Sequence, residues 1–217
     1  NDTQKCIINS TNADDERLEK FSSVAAKYNT YLIALTLSSQ TGIPKEAEER
    51  LELAFKIIEV CESKGMGHNK IMIDPLVLPI CIEQSQAKVS LDTIRMLKES
   101  FDPPVLTTIG LSNISNGVPK HLRSLINTVY MTMAMGAGLD SAIVDVFDEE
   151  LLRVHKMIVE NNPQKPYDKL YLDIFETSKN YGEIEDISYD NNNKEQVKII
   201  KTAKILMNKE VYSACYI

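Results

Sequence analysis

Five stretches of almost unbroken apolar residues limit most tightly what this 217-residue chain can fold into: "CIINS" from Cys6, "YLIALTL" from Tyr31, "KIMIDPLVLP" from Lys70, "TTIGLSN" from Thr107 and "SAIVDVF" from Ser141. Each is of strand length and rich in Ile, Val or Leu. A strand with one wet face alternates apolar and polar residues. These runs hardly alternate, so both of their faces must be covered, as in a parallel sheet flanked by helices.

Helical periodicity fills the gaps. Leu18, Phe21, Ala25 and Tyr28 recur on one face behind the acidic start "DDE", which suits a helix N-terminus. A second pattern through Leu51, Phe55 and Ile58 opens near Pro44 and stops at Gly65. A third has Ser90 as its N-cap, carries Ile94, Leu97 and Phe101, and ends at "DPP". A fourth places Leu122, Ile126, Val129, Tyr130 and Met133 on one stripe before "GAG", and a last runs through Ile199, Ile200, Ala203, Leu206 and Met207.

Repeated strand–helix units predict an α/β fold, either a doubly wound sheet or a TIM (β/α)8 barrel. The polar residues closing the apolar runs decide between them. Asn9, Thr36, Asp74, Asn113 and Asp145 stand at these ends, and in a barrel all such ends converge on one mouth. A dinucleotide-binding sheet calls instead for GxGxxG after a strand, which is absent. A complete barrel has eight units and roughly 250 residues; this chain shows five. It does not open on Met, and "NDTQKC" reads as a helix end entering a strand. The expectation is an incomplete barrel whose upstream third has been cut away. The stretch from about 153 to 195 is polar and interrupts the last unit, with a short helix around Tyr167–Phe175; it reads as a solvated insertion or as a lid or docking arm.

Composition narrows the chemistry. A formal net charge of −7 and a pI near 5.1 oppose binding to a nucleic-acid backbone, and no apolar stretch reaches the roughly 18 residues of a membrane span. Without a signal peptide, a cytoplasmic address follows by default. Cys6, Cys61, Cys81 and Cys215 are scattered, as are His68, His121 and His155, so no metal site or disulfide framework is signalled.

The strand-end residues carry the candidate chemistry. Asp74, in "MIDP", is held out of helical conformation by Pro75; it is either a turn carboxylate or an acceptor of two hydrogen bonds from a ring bearing an amino group beside an N–H, the edge of a pterin or guanine. Asn9, in "IINSTNA", is a ligand candidate or a satisfied strand amide, while Asn12 or Asp14 caps the following helix. In "GLSNISNG", Gly110 permits close backbone approach and Asn113 offers an amide that both donates and accepts, whereas Asn116-Gly117 reads as a turn. Asp145 is a second carboxylate candidate and Asp148 an N-cap. Met131, Met133 and Met135 read as core.

In this order, "INSTNA", "TGIPK", "IDPLVLP", "GLSN", "LIN", "AMGAGLDSAI" and "DEEL" resemble the pterin-binding methyltransferase family, most closely methyltetrahydrofolate:corrinoid/iron–sulfur protein methyltransferases. The resemblance spans nearly the whole chain apart from the insertion. It implies residues 1–217 as a partial pterin-binding TIM barrel that transfers a methyl group from methyltetrahydrofolate to the cobalt of a corrinoid on a partner protein. It further implies a homodimer, for which the helix through Val129 and Met133 and the final helix are a candidate face, their apolar stripes being explained equally by packing against the barrel. Residue by residue it implies Asn9 on the pterin ring, Asp74 on its amino edge, Gly110 and Ser112 beside it, Asn113 as the catalytic residue at the methyl-bearing nitrogen, and Ile143 packed on the ring. Arg123 is a further contact, with His121 as the alternative in that space. Family members also draw pterin contacts from earlier strands that this sequence does not contain, so weak folate binding by the isolated chain is expected. Alternatives are a non-catalytic pterin-binding or corrinoid-protein-docking fragment, the folate module of a methionine synthase, and dihydropteroate synthase, whose phosphate-binding loop has no counterpart here.

Overall fold

The apolar runs pair into one five-stranded sheet: β1 (Ile7–Asn12), β2 (Tyr31–Leu35), β3 (Ile71–Asp74), β4 (Leu106–Gly110) and β5 (Ser141–Ile143), in the spatial order β1-β2-β3-β4-β5. The computed structural model describes residues 6–217; the helix end expected over residues 1–5 lies outside them. Pairing of β1 with β2, β2 with β3 and β3 with β4 is parallel, as two-sided burial demands. Helices α1 (Asp15–Tyr28), α2 (Ala47–Ser63), α3 (Ser85–Ser100) and α4 (Lys120–Gly136) alternate with the strands. A doubly wound sheet reverses its strand order at a switch point. This order never reverses, which is the connectivity of consecutive barrel units.

Two compact units divide the elements. The first holds residues up to 76 with 92–109 and 139–142; the second holds 77–91, 110–138 and 143–217. In the first, Leu32, Ala34, Ile71 and Ile73 pack with Leu18 and Ala25 of α1 and with Ala54, Ile57, Ile58 and Cys61 of α2. Burial pushes the Cys61 thiol up to about 12, so it is an inert core group. The inner stripe of α2 is displaced from the one expected: Ala47, Arg50, Ala54, Ile57 and Ile58 face inward while Phe55 lies outside against Phe101, ring centroids 4.8 Å apart. Tyr28 of α1 is likewise exposed.

In the second unit α4 is the central helix. Leu122, Ile126, Val129, Tyr130 and Met133 are buried on it, and the Tyr130 hydroxyl donates to the Ala87 carbonyl at 3.1 Å. Helices α5 (Glu149–Glu160), α6 (Asp168–Lys179) and α7 (Lys194–Leu206) pack against α4. The stripes of α4 and α7 expected to offer a dimer face are therefore consumed inside this unit.

The segment expected as a solvated insertion is mostly ordered helix. It supplies the end of α5 and all of α6, whose Leu170, Tyr171 and Ile174 are buried. Arg153 joins the two helices through a bidentate pair to Asp168 at 2.8 and 2.9 Å, and Asp168 also accepts from the Gln164 and Lys165 amides. The charged composition that reads as solvation is here spent on an internal ion network.

Three expected caps resolve differently. Ser90 lies inside α3, buried, because the helix begins at Ser85. Asp14 occupies the N-cap position of α1 but does not cap it: its carboxylate accepts from the Ser39 amide at 2.6 Å and the Ser39 hydroxyl at 2.8 Å, and Asn12 bonds Asp14 rather than the helix. Asp148 does cap α5, accepting from the Leu151 amide at 3.2 Å.

Candidate functional site

Asp74 closes β3, one residue before the expected break at Pro75. Its Oδ1 accepts from the Leu76 amide at 2.9 Å, and among the described residues Oδ2 has no hydrogen-bond partner. Burial pushes the carboxyl up to about 6, against the Leu76 N–H and the Arg50 charge, which both favour its ionised form. Leu76 itself sits at φ 65°, a left-handed conformation that costs a side chain with a Cβ about 1–2 kcal/mol. What holds it there is Arg50, wholly buried on α2, whose Nη1 donates to the Pro75 carbonyl at 2.7 Å and the Leu76 carbonyl at 3.0 Å while Nε donates to the Pro44 carbonyl at 3.0 Å. Nothing in the residue pattern points to it, since an Arg among "EERLE" reads as solvated helix surface.

Asn9 stands inside β1 rather than at its end. The strand runs on to Asn12 across an irregularity between Asn9 and Thr11, and Asn9 is exposed. Thr36, just past β2, is buried and spent on structure, donating to the Asp74 carbonyl at 3.2 Å.

In the second unit, Leu111–Ser115 form a 3₁₀ turn directly after β4, burying Leu111 and Ile114 and leaving Ser112 and Asn113 exposed. A Cβ on Gly110 would come within 3.1 Å of the Asn113 Nδ2. The glycine thus leaves room for a side chain of its own chain, where the sequence suggested room for a ligand. Among the described residues the Asn113 amide has no hydrogen-bond partner. Ser112, Asn113 and Arg123 line one cavity of about 680 Å³ with Ser124, Asn127 and Asp145. Arg123 is oriented by its Nε bond to the Val118 carbonyl at 2.8 Å. His121 lines a different, smaller cavity with Glu150 and Tyr167, so the structure separates the two residues that were alternatives. Asn127, of the "LIN" stretch, is buried with an Oδ1 that finds no donor among the described residues; a buried acceptor in that condition is a place for a ligand's N–H or O–H. Ile143 ends β5, 56% exposed. Asp145 folds onto the Phe147 amide at 2.9 Å, and Gly117 at φ 77° makes the expected turn after Asn116.

Not every strand-end carboxylate is free. Asp140, at the opposite end of β5, accepts through Oδ2 from the Thr107 amide at 2.6 Å and the Thr107 hydroxyl at 2.9 Å, and from Lys98. Its acceptor capacity serves the sheet. Among the described residues no helix is long and apolar enough to cross a membrane, and no His, Cys, Asp and Glu gather in a group able to hold a metal ion.

Known proteins resemble this chain in sequence. Methionine synthase of Mycobacterium leprae is 33% identical over 177 residues, covering 77% of this chain and 14% of the relative; that of Mycobacterium tuberculosis is 31% identical over 184 residues, covering 76% and 15%. Methylcorrinoid:tetrahydrofolate methyltransferase of Eubacterium limosum is 33% identical over 121 residues, 56% of this chain and 43% of the relative. The chain thus spans under half the length of each. The family model for pterin binding enzymes matches residues 2–145, the stretch that contains the five strands of the described residues, with Asp74 ending β3 and the Asn113 turn following β4. With the strand order and these strand-end amides and carboxylates already in place, that match makes the chain a member of the pterin binding enzyme family.

Proposed function

We propose that the chain is a methyltransferase that moves a methyl group from methyltetrahydrofolate to the cobalt of a corrinoid carried by a partner protein. In this reading Asp74 accepts from the amino group and ring N–H of the pterin, Asn9 and Ser112 make further ring contacts, Gly110 lies beside the ring, Ile143 packs on it, and Arg123 adds a polar contact. The carrying observation is the Asn113 amide: exposed, without a partner among the described residues, and held on a turn whose backbone is pinned by buried Leu111 and Ile114.

The chemistry requires such a group. The cobalt electron pair takes the methyl carbon as the bond from carbon to the pterin nitrogen breaks, and that nitrogen leaves as a very basic anion unless it gains a proton or a strong hydrogen bond. An uncharged donor that tightens as charge develops contributes about 3 kcal/mol, or roughly a hundredfold in rate. Asn113 fills this role, with the proton reaching the nitrogen from solvent. The same site serves the reverse direction that the E. limosum relative's name describes.

A single-turnover assay with methyltetrahydrofolate and reduced corrinoid tests this. Asn113→Ala is expected to slow transfer about 10²-fold while changing folate affinity less; a fully active variant would refute the assignment. Folate binding with no transfer by the wild-type chain favours a non-catalytic pterin-binding or corrinoid-docking role. The extent of the methionine synthase matches supports a second reading, a folate module working beside a corrinoid domain, with the same chemistry at the pterin.

A further inference from the structure

We infer that Arg50 is a positioning residue for the pterin-reading carboxylate: its guanidinium joins Pro44 to Pro75 and Leu76 and so fixes the turn whose N–H aims Asp74. The inference rests on the assignment of Asp74 to the pterin's amino edge.

Four observations converge on it. Arg50 is 0% exposed, an environment in which an arginine is found only when its donors are satisfied. Its acceptors include backbone carbonyls of two segments, Pro44 before α2 and Pro75–Leu76 after β3. Leu76, which supplies the N–H to Asp74, holds a left-handed backbone at φ 65° that the chain would leave without restraint. The Arg50 charge also acts on the Asp74 carboxyl directly, favouring its ionised form against burial.

A pterin edge offering two parallel N–H donors is discriminating only if the acceptor cannot rotate or retreat. One oxygen of Asp74 is tethered to Leu76, which sets the plane of the carboxylate and leaves the other oxygen forward. Arg50 thus does two jobs. Its Nη1 restrains the turn through two successive carbonyls, and its charge favours the ionised form of Asp74 against burial. The groups bearing on Asp74 are Arg50 from α2, the Leu76 N–H of its own turn, and the Thr36 hydroxyl on its carbonyl; Arg50 is the charged one among them.

The two jobs separate experimentally. Arg50→Lys retains charge and loses the fork; Arg50→Met loses both. Methyltetrahydrofolate affinity by calorimetry is expected to fall about tenfold in Arg50→Lys and further in Arg50→Met. The Asp74 carboxyl, followed by carbon-13 NMR without ligand, is expected to titrate at higher pH in Arg50→Met and close to the wild type in Arg50→Lys. Variants that melt earlier yet keep the wild-type affinity and titration midpoint would overturn the inference, leaving Arg50 a packing residue. Should neither variant fold, the wild type decides: the Arg50 Nε–H and Leu76 N–H resonances must both shift with the Asp74 titration and again on adding methyltetrahydrofolate. If the two signals ignore the Asp74 titration, the inference fails. If the wild type binds no methyltetrahydrofolate while the Asp74 and Arg50 signals titrate together, it is the pterin assignment that fails.

Discussion

Acid should weaken folate binding through one identifiable carboxyl. Asp74 is pushed up to about 6 by burial in the ligand-free chain, whereas acceptance from a pterin's amino group and N–H needs the ionised form. Affinity then follows the ionised fraction. With a midpoint near 6, about ten in eleven molecules are ionised at pH 7 and about one in eleven at pH 5, so the dissociation constant rises about tenfold, or about 1.4 kcal/mol. Since the complex favours the carboxylate, binding at pH 5 also releases close to one proton. Calorimetry of methyltetrahydrofolate binding at pH 5, 6 and 7, in buffers of differing ionisation enthalpy, reads both quantities. Asp74→Asn provides the subtraction, because it keeps the Leu76 bond while removing the titration; its affinity should be about 10- to 100-fold weaker at pH 7 from loss of a charge-assisted pair. What remains of its pH slope belongs to the ligand. Equal slopes in wild type and Asp74→Asn would refute the role of Asp74.

Three further outcomes follow from the same geometry. Asp74→Asn should make the ligand-free chain more stable at pH 7: the native pKa lies above the usual 3.8, so stability falls as pH rises from about 4 to 6 while only the unfolded chain gives up its proton. The variant escapes a loss of about 3 kcal/mol, and its advantage in thermal melting should vanish below about pH 4. Gly110→Ala should leave melting unchanged yet slow methyl transfer about tenfold, because the new Cβ meets the Asn113 Nδ2 at 3.1 Å and shifts the amide; a wild-type single-turnover rate would contradict this. Asp140→Ala should lower stability by about 2 kcal/mol in denaturant titration, through the unmade bonds of Thr107 and Lys98.

Hydrophobic period and strand-end chemistry were legible from the residues alone. Near-continuous runs around Ile33 and Ile73 announced parallel strands, and the polar residues closing them marked the candidate site. The phase of α2 was not legible, because Leu51, Phe55 and Ile58 satisfy a helical stripe as well as Ala54, Ile57 and Ile58 do, and only contact with β2 and β3 distinguishes them. Nor were α5 and α6 as packed elements. Their charged residues read as solvated chain until Arg153 and Asp168 are seen to neutralise each other.

Local pattern by itself determined the βα alternation and the candidacy of Asp74 and Asn113, because side-chain period and turn preference are properties of neighbouring residues; the unreversed strand order came only with the tertiary structure. Tertiary structure alone decided which of these polar groups are left free. Asp14 is spent on Ser39, Thr36 on the Asp74 carbonyl and Asp140 on Thr107, each partner lying 25 or more residues away in sequence. It also decided that Arg50 is buried behind Asp74 rather than solvated. A hydrogen bond removes a group from chemistry only once folding brings its partner within about 3 Å, and no periodicity encodes that distance.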